Sequence, residues 1–404
     1  MDIVFYSGII LFTGFFFGEL AGLIKLPKVT GYIIAGVFLN PQLFNIIPAD
    51  ITEHTNFITN ISLSFITFSV GGTLLYSKIK SLGKSIILIT VLEAEIAFLF
   101  VFIGLFFIAP LFIDISATDS MTYFLPLAIL FGALASPTDP SATLAVMHEY
   151  KAKGVVSSTI MGVAAFDDIF GLLNFSIGIS IAQVVVSGQG FSFVSSIGAP
   201  VYKIAGAIVF GSIMGFIFNF ISIRIKKETA GNLIVLIFGI LLTSFGLAHY
   251  LGIDELLTTM TIGIIVVNFN KYQKRIFDIL SENTEEIIFV LFFTLSGFAL
   301  NFSVLFSYMP IVLIFVLLRF AGKYTGTRIG SRLSKADVKV RKYTVGGLIP
   351  QGGIVIGLAL LIKQHQEFEH IADIVISVII GATIVHELIG PVFAKLSLRK
   401  AGEI

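Results

Sequence analysis

Cysteine and tryptophan are absent from this 404-residue chain, and charge is scarce. Without cysteine there are no disulfides, no thiol chemistry and no cysteine-ligated metals. Charged residues make up 13% of the chain and hydrophobic residues 56%; a soluble domain carries roughly 25% charged residues, so a string of soluble domains is excluded. Lys and Arg number 26 against 25 Asp and Glu, leaving +1 and no basic field for nucleic acid. No phosphate-binding loop, dinucleotide fingerprint, zinc spacing or nucleophile elbow occurs, so nothing indicates an enzyme. A mean hydropathy of +0.98 instead describes an all-α polytopic membrane protein whose few charges carry the information.

A helix crosses the hydrocarbon core with about 20 apolar residues. Thirteen apolar runs qualify, near 4–24, 29–47, 57–77, 84–113, 121–148, 155–187, 199–223, 231–249, 255–269, 282–300, 304–333, 342–362 and 371–396. They are continuous rather than alternating, which argues against a barrel. No basic residue precedes the first run, so it reads as a retained helix and not a signal peptide.

Orientation follows from the basic residues. With the N-terminus outside and the C-terminus inside, 22 of the 26 fall in cytoplasmic turns, from Lys25 and Lys28 to Lys395, Arg399 and Lys400. Only Lys203 and Lys363 lie outside, where the turns carry Asp50, Glu53, Asp114, Asp119, Asp254, Glu255, Glu367 and Glu369.

The two that remain, Arg319 and Lys323, fall inside the eleventh run and share a helix face. An unpaired cation at that depth costs about 2.5–3.5 kcal/mol. Either each has a buried partner, or each snorkels along its stem.

Acidic and broken segments supply candidate partners. The fifth run contains Ser136-Pro137-Thr138-Asp139-Pro140; two prolines three residues apart should break the helix at the midplane and free backbone groups beside Asp139. The sixth run carries adjacent Asp167 and Asp168, which point about 100° apart and so cannot share one partner geometry. One can pair with a buried cation while the other faces a wet cavity. The twelfth run repeats the break at Gly346-Gly347-Leu348-Ile349-Pro350-Gln351-Gly352-Gly353. The fifth and twelfth runs cross in opposite directions, the pointer to inverted repeats with two crossed, unwound helices. Runs 1–6 and 8–13 would be the repeats, with run 7 as linker. Weaker candidates are Glu93 and Glu95, as partners of Arg319 or as transport groups, and His386 with Glu387, as a hydrogen-bonded structural unit or a proton relay. Glu19 reads as a snorkelling residue, and His148, Glu149, Lys151 and Lys153 as a solvated loop.

In this order, the segments resemble the monovalent cation:proton antiporter superfamily, in particular its second branch of Kef-type and sodium/proton exchangers. The likeness rests on Leu26 to Gly36, Ser136 to Pro140, Phe166-Asp167-Asp168, Gly322-Lys323, Leu348 to Gly353, and Glu387 to Pro391 followed by Ala401-Gly402-Glu403. It implies a homodimer in a bacterial or archaeal inner membrane. A dimerisation scaffold (1–77 and 231–303) and an ion-translocating core (83–190 and 304–396) would be joined by a linker helix (199–227), with 397–404 as a cytoplasmic tail. It also implies that Asp168 binds a cation or a proton in turn, that Asp167 pairs with Lys323, and that Thr138 and Asp139 hold the crossing and contact the ion.

There are two departures. Val70-Gly71-Gly72-Thr73 stands where many relatives have Gly-Leu-Glu, and the nucleotide-gated regulation of many Kef-type members is not expected of a chain ending at Ile404.

Chemistry gives the same coupling. A midplane carboxylate is neutralised by either a proton or a metal cation, and only the neutral site crosses an apolar barrier cheaply. The expected function is therefore exchange of Na+ (or Li+ or K+) for H+ with no cofactor. A potassium/proton antiporter is the nearest rival, and a sodium-coupled organic-anion symporter is disfavoured by three acidic residues at the site.

Overall fold

The computed structural model describes residues 3–23, 28–44, 46–48, 56–77, 83–113, 120–139, 143, 146–147, 150–164, 166–187, 198–224, 229–351 and 353–404. Pro140, Gly352, Lys25, Lys78, Lys80, Lys226, Lys227, Asp50, Glu53, Asp114, Asp119, His148 and Glu149 lie outside the described residues. The described chain is helical: α1 (Ile3–Leu23), α2 (Lys28–Leu39), α3 (Asn56–Gly72), α4 (Gly83–Ile108), α5 (Ser120–Leu134), α6 (Val155–Ala164), α7 (Asp167–Val186), α8 (Ala199–Arg224) and α9 (Ala230–Leu251). There follow α10 (Glu255–Phe269), α11 (Gln273–Asn283), α12 (Glu285–Phe298), α13 (Phe302–Ser307), α14 (Met309–Leu333), α15 (Val338–Tyr343), α16 (Gly353–Ile362) and α17 (Glu369–Ala401). Helices suit this composition because a helix satisfies its own backbone groups where no water can.

By length and composition, seven segments of the described residues can cross a membrane: Val4–Leu23, Gly83–Leu111, Val155–Val186, Val201–Arg224, Ala230–Leu251, Met309–Leu333 and Gln366–Ala401. Lys28–Leu39, Met121–Leu134 and Glu255–Phe269 are apolar but shorter. Several apolar runs are thus divided. The fifth ends its helix at Leu134, the sixth is split between α6 and α7, and the twelfth is split by a 3-10 turn over Thr344–Leu348. Between the ninth and tenth apolar runs stands α11, a polar helix carrying Lys274 and Arg275 that buries only Ile276 and Leu280.

Two compact units result. One comprises Met1–Ile51, Leu82–Phe191 and Phe293–Ile404, the other Thr52–Ser81 and Ser192–Phe292. In the first unit 1–51 groups with the broken helices, and in the second α8 groups with α3, α9 and α10. The second unit is built around α10, which packs on α3, α8 and α9. Its interior holds neutral polar pairs, Thr67 with Thr259 at 2.7 Å and Asn270 donating to Asn219 (2.7 Å) and Ser222 (2.8 Å).

In the first unit the most extensive packing joins α4 to α14. Gly322, Gly326 and Gly330 set one small-residue face of α14 against Ala97, Leu92–Glu93 and Ile89 of α4. A Cβ on Gly326 would sit 2.3 Å from the Leu92 carbonyl oxygen and 2.5 Å from Glu93 Cα. Gly326→Val is therefore expected to force the helices apart and cost about 1–3 kcal/mol, read as a lower Tm of the purified protein. Gly239→Ala, where a Cβ meets nothing within 4 Å, should leave Tm unchanged or raised. Equal Tm values for both variants would contradict this packing.

Candidate functional site

The site is built from two interrupted segments and the cations of α14. After Leu134 the chain leaves the helix; Ala135 N–H closes on Gly132 O at 3.0 Å, and Pro137 brings no donor. Residues 135–139 then run without helical bonds, as do 349–351 after the 3-10 turn. The two breaks serve each other's orphan groups. Asp139 N–H donates to Pro350 O at 3.1 Å, and Gln351 Nε2 donates to Leu134 O at 2.7 Å. Thr143 Oγ1 donates to Gly347 O at 2.9 Å, and Thr138 Oγ1 lies 3.4 Å from Leu348 O.

Arg319 binds both breaks together. Its Nε donates to Ala135 O at 3.0 Å, one terminal nitrogen to Ile349 O at 2.7 Å, and the other to Pro137 O at 2.7 Å and Pro350 O at 3.4 Å. The rigid guanidinium fork suits this multipoint role. Arg319 and Lys323 are both 0% exposed, so neither snorkels.

Lys323, one turn further along α14, gathers the acids. Its Nζ lies 2.6 Å from Glu93 Oε2 and 3.3 Å from Asp167 Oδ2; it donates to Thr138 Oγ1 at 2.8 Å and to the Ser136 carbonyl. Glu93, which the sequence offered as a partner of Arg319, thus pairs with Lys323 and lies nearer to it than Asp167 does. Glu95, two residues on, points away: it is half-buried beside Asn174 and makes no pair with Arg319.

The acidic pair occupies the first turn of α7 rather than a helix interior, with Phe166 as the residue before it. A carboxylate there meets the positive end of the helix dipole. Asp167 is buried and paired. Asp168 is only partly buried; the charged groups that act on it are Asp167, Asp139 and Lys323, and among the described residues no hydrogen bond or ion pair within 4 Å holds its carboxylate. Gly171, one turn on, packs on Pro137, where a Cβ would come within 2.2 Å of the ring. Asn174 Nδ2 donates to Ser136 Oγ at 3.0 Å, and that hydroxyl donates to Ala94 O at 3.2 Å. Asn174 carries no charge and does not stand out in the sequence, and Gln351 stands there only as part of the second break. Asn174 is seven residues after Asp167, on the same helix face, a spacing that could have found it.

Of the remaining candidates, His386 and Glu387 are buried on α17, and neither side chain hydrogen-bonds the other. Pro350 contributes its carbonyl to Asp139 and Arg319. Glu19 pairs with Lys28 at 2.5 Å, both about half exposed.

The sodium/hydrogen exchanger transmembrane family matches residues 8–399. The Na(+)/H(+) antiporter NhaP of Pseudomonas aeruginosa is 27% identical over 297 residues, 66% of this chain and 66% of that protein. The ammonium/H(+) antiporter subunit AmhT of Alkalihalophilus pseudofirmus is 20% identical over 81% of this chain and 78% of its own length. The chain thus spans about two thirds of the NhaP relative. The structure of the sodium proton antiporter MjNhaP1 from Methanocaldococcus jannaschii matches at a TM-score of 0.76, covering 98% of each chain at 21% identity, a likeness of fold.

Proposed function

The chain belongs to the sodium/hydrogen exchanger family of integral membrane transporters, and on that footing we propose that it exchanges a monovalent cation, sodium first, for protons. The observation that carries this reading is the contrast between two adjacent carboxylates. Asp167 is buried on Lys323, whereas Asp168 beside it is partly exposed and unpartnered among the described residues. Asp168, with the Thr138 hydroxyl, takes the cation or a proton, and either neutralises it. A core carrying bare charge does not move across the apolar barrier, so one species returns only in exchange for the other.

Glu93 has a part in this cycle. Its 2.6 Å contact keeps Lys323 balanced while Asp167 changes partner. That supports two protons per cation, hence electrogenic exchange, which an imposed voltage should accelerate or retard. A rate indifferent to voltage would assign one-for-one exchange instead.

The proposed architecture has about thirteen spans, N-terminus out and C-terminus in, with the breaks crossing between inverted repeats. The translocating core comprises 83–190 and 304–396, the scaffold of a homodimer 1–77 and 231–303, and 199–227 links them. A bacterial or archaeal cytoplasmic membrane is the proposed location. Relatives named as sodium/proton antiporters support sodium as the first cation to test, with potassium/proton exchange as the alternative. In proteoliposomes with a pH-sensitive dye, sodium and lithium are expected to drive proton movement and potassium to do so weakly. A response to potassium alone would establish the potassium/proton reading, and no response to any cation would refute exchange.

A further inference from the structure

The last helix carries a polar face that the exchange site does not use. Thr383, His386, Glu387 and Gly390 follow helical spacing near the middle of α17 and so share one side. That side meets the second break, since a Cβ on Gly390 would lie 2.5 Å from Pro350 Cγ. Thr383, His386 and Glu387 are all buried, with Glu387 1% exposed. Among the described residues, the Thr383 hydroxyl and both Glu387 carboxylate oxygens lack a hydrogen-bond partner. Buried polar atoms in that number call for an occupant.

The chemistry of the surroundings selects it. The charged groups facing Glu387 are Asp139 of the first break and Arg319 of α14; Arg319 and Lys323 also face His386. Arg319 is committed to four carbonyls, and its bond to Pro350 O is the longest at 3.4 Å. A bare carboxylate with no donor is strongly disfavoured there. A metal cation needs several ligands together, and among the described residues no group of three or more His, Cys, Asp or Glu is placed to hold one. A proton needs only one carboxylate oxygen.

We infer that Glu387, flanked by His386 and Thr383, is a second proton-binding site, separate from Asp167 and Asp168, that governs the hold of Arg319 on the second break. The inference rests on the exchange reading above. With the proton bound, Glu387 is neutral and Arg319 stays on its carbonyls. When the O–H bond breaks and the proton passes to water, the carboxylate competes for the Arg319 nitrogen that reaches Pro350, and the break loosens.

Proteoliposomes of the native protein, Glu387→Gln and Glu387→Asp are compared for sodium-driven proton movement across pH. Glu387→Gln is expected to lower the slope of log rate against pH by about one proton, while Glu387→Asp keeps the native slope with a displaced midpoint. An unchanged slope in Glu387→Gln overturns the inference and leaves exchange standing; native protein that exchanges nothing overturns both. If Glu387→Gln does not fold, infrared spectra of the Asp168→Asn protein provide the test. A buried protonated-carboxyl band that titrates with pH is expected, and its absence overturns the inference.

Discussion

Arg319→Met is expected to leave little folded protein to purify. Methionine approximates the length of the side chain but supplies none of the donors that hold Ala135, Pro137, Ile349 and Pro350. Each carbonyl left unpaired in the interior costs about 1–3 kcal/mol. Even with partial compensation, the loss approaches the 5–15 kcal/mol that an ordinary domain has in total. The two breaks, which depend on each other through Asp139 and Gln351, should fail together. Arg319→Lys keeps the charge but replaces a planar fork by a compact ammonium that cannot span both segments, so it should recover only part of the loss. Yield, monodispersity and Tm in detergent measure this. A methionine variant as stable as the native protein would show that the breaks are held by something else.

This arrangement explains how much of the site could be read in advance. Pro137 and Pro350 act locally, through a missing donor and a fixed φ, so the two breaks were legible as sequence. The interruption before Asp167 was not, because Val163-Ala164-Ala165-Phe166 contains no residue that opposes a helix. Arg319 and Lys323 stood out because charge is expensive in an apolar run, yet their partners depended on how neighbouring helices are rotated. Glu93 and Glu95 are two residues apart and so face nearly opposite sides of α4. Which one meets Lys323 is decided by the Gly326 contact with Leu92 and Glu93, a tertiary fact. The polar helix α11 escaped because only apolar runs were counted, although Ile276 and Leu280 carry a helical spacing.

Asp168→Asn is expected to abolish exchange, by at least about 100-fold given that a required charge is lost outright, while leaving the fold intact. The two residues have nearly the same shape, so packing in the first turn of α7 is preserved. Asparagine, however, neither binds a proton at accessible pH nor neutralises a cation. A site that is permanently neutral can still move across the barrier, but it has nothing to return, so coupling disappears. Stability should move the other way. Asp168 has no described partner to lose, and removing a carboxylate from a partly dry site relieves a desolvation cost, so Tm should stay level or rise. This opposes the pattern expected for Arg319→Met, where folding and transport fail together. Asp167→Asn lies between, because Lys323 keeps Glu93 at 2.6 Å; the fold should hold and the response to voltage should change first. Sodium-driven proton flux and Tm on the same purified samples distinguish these outcomes. Retained proton-coupled flux in Asp168→Asn would remove that residue from the mechanism.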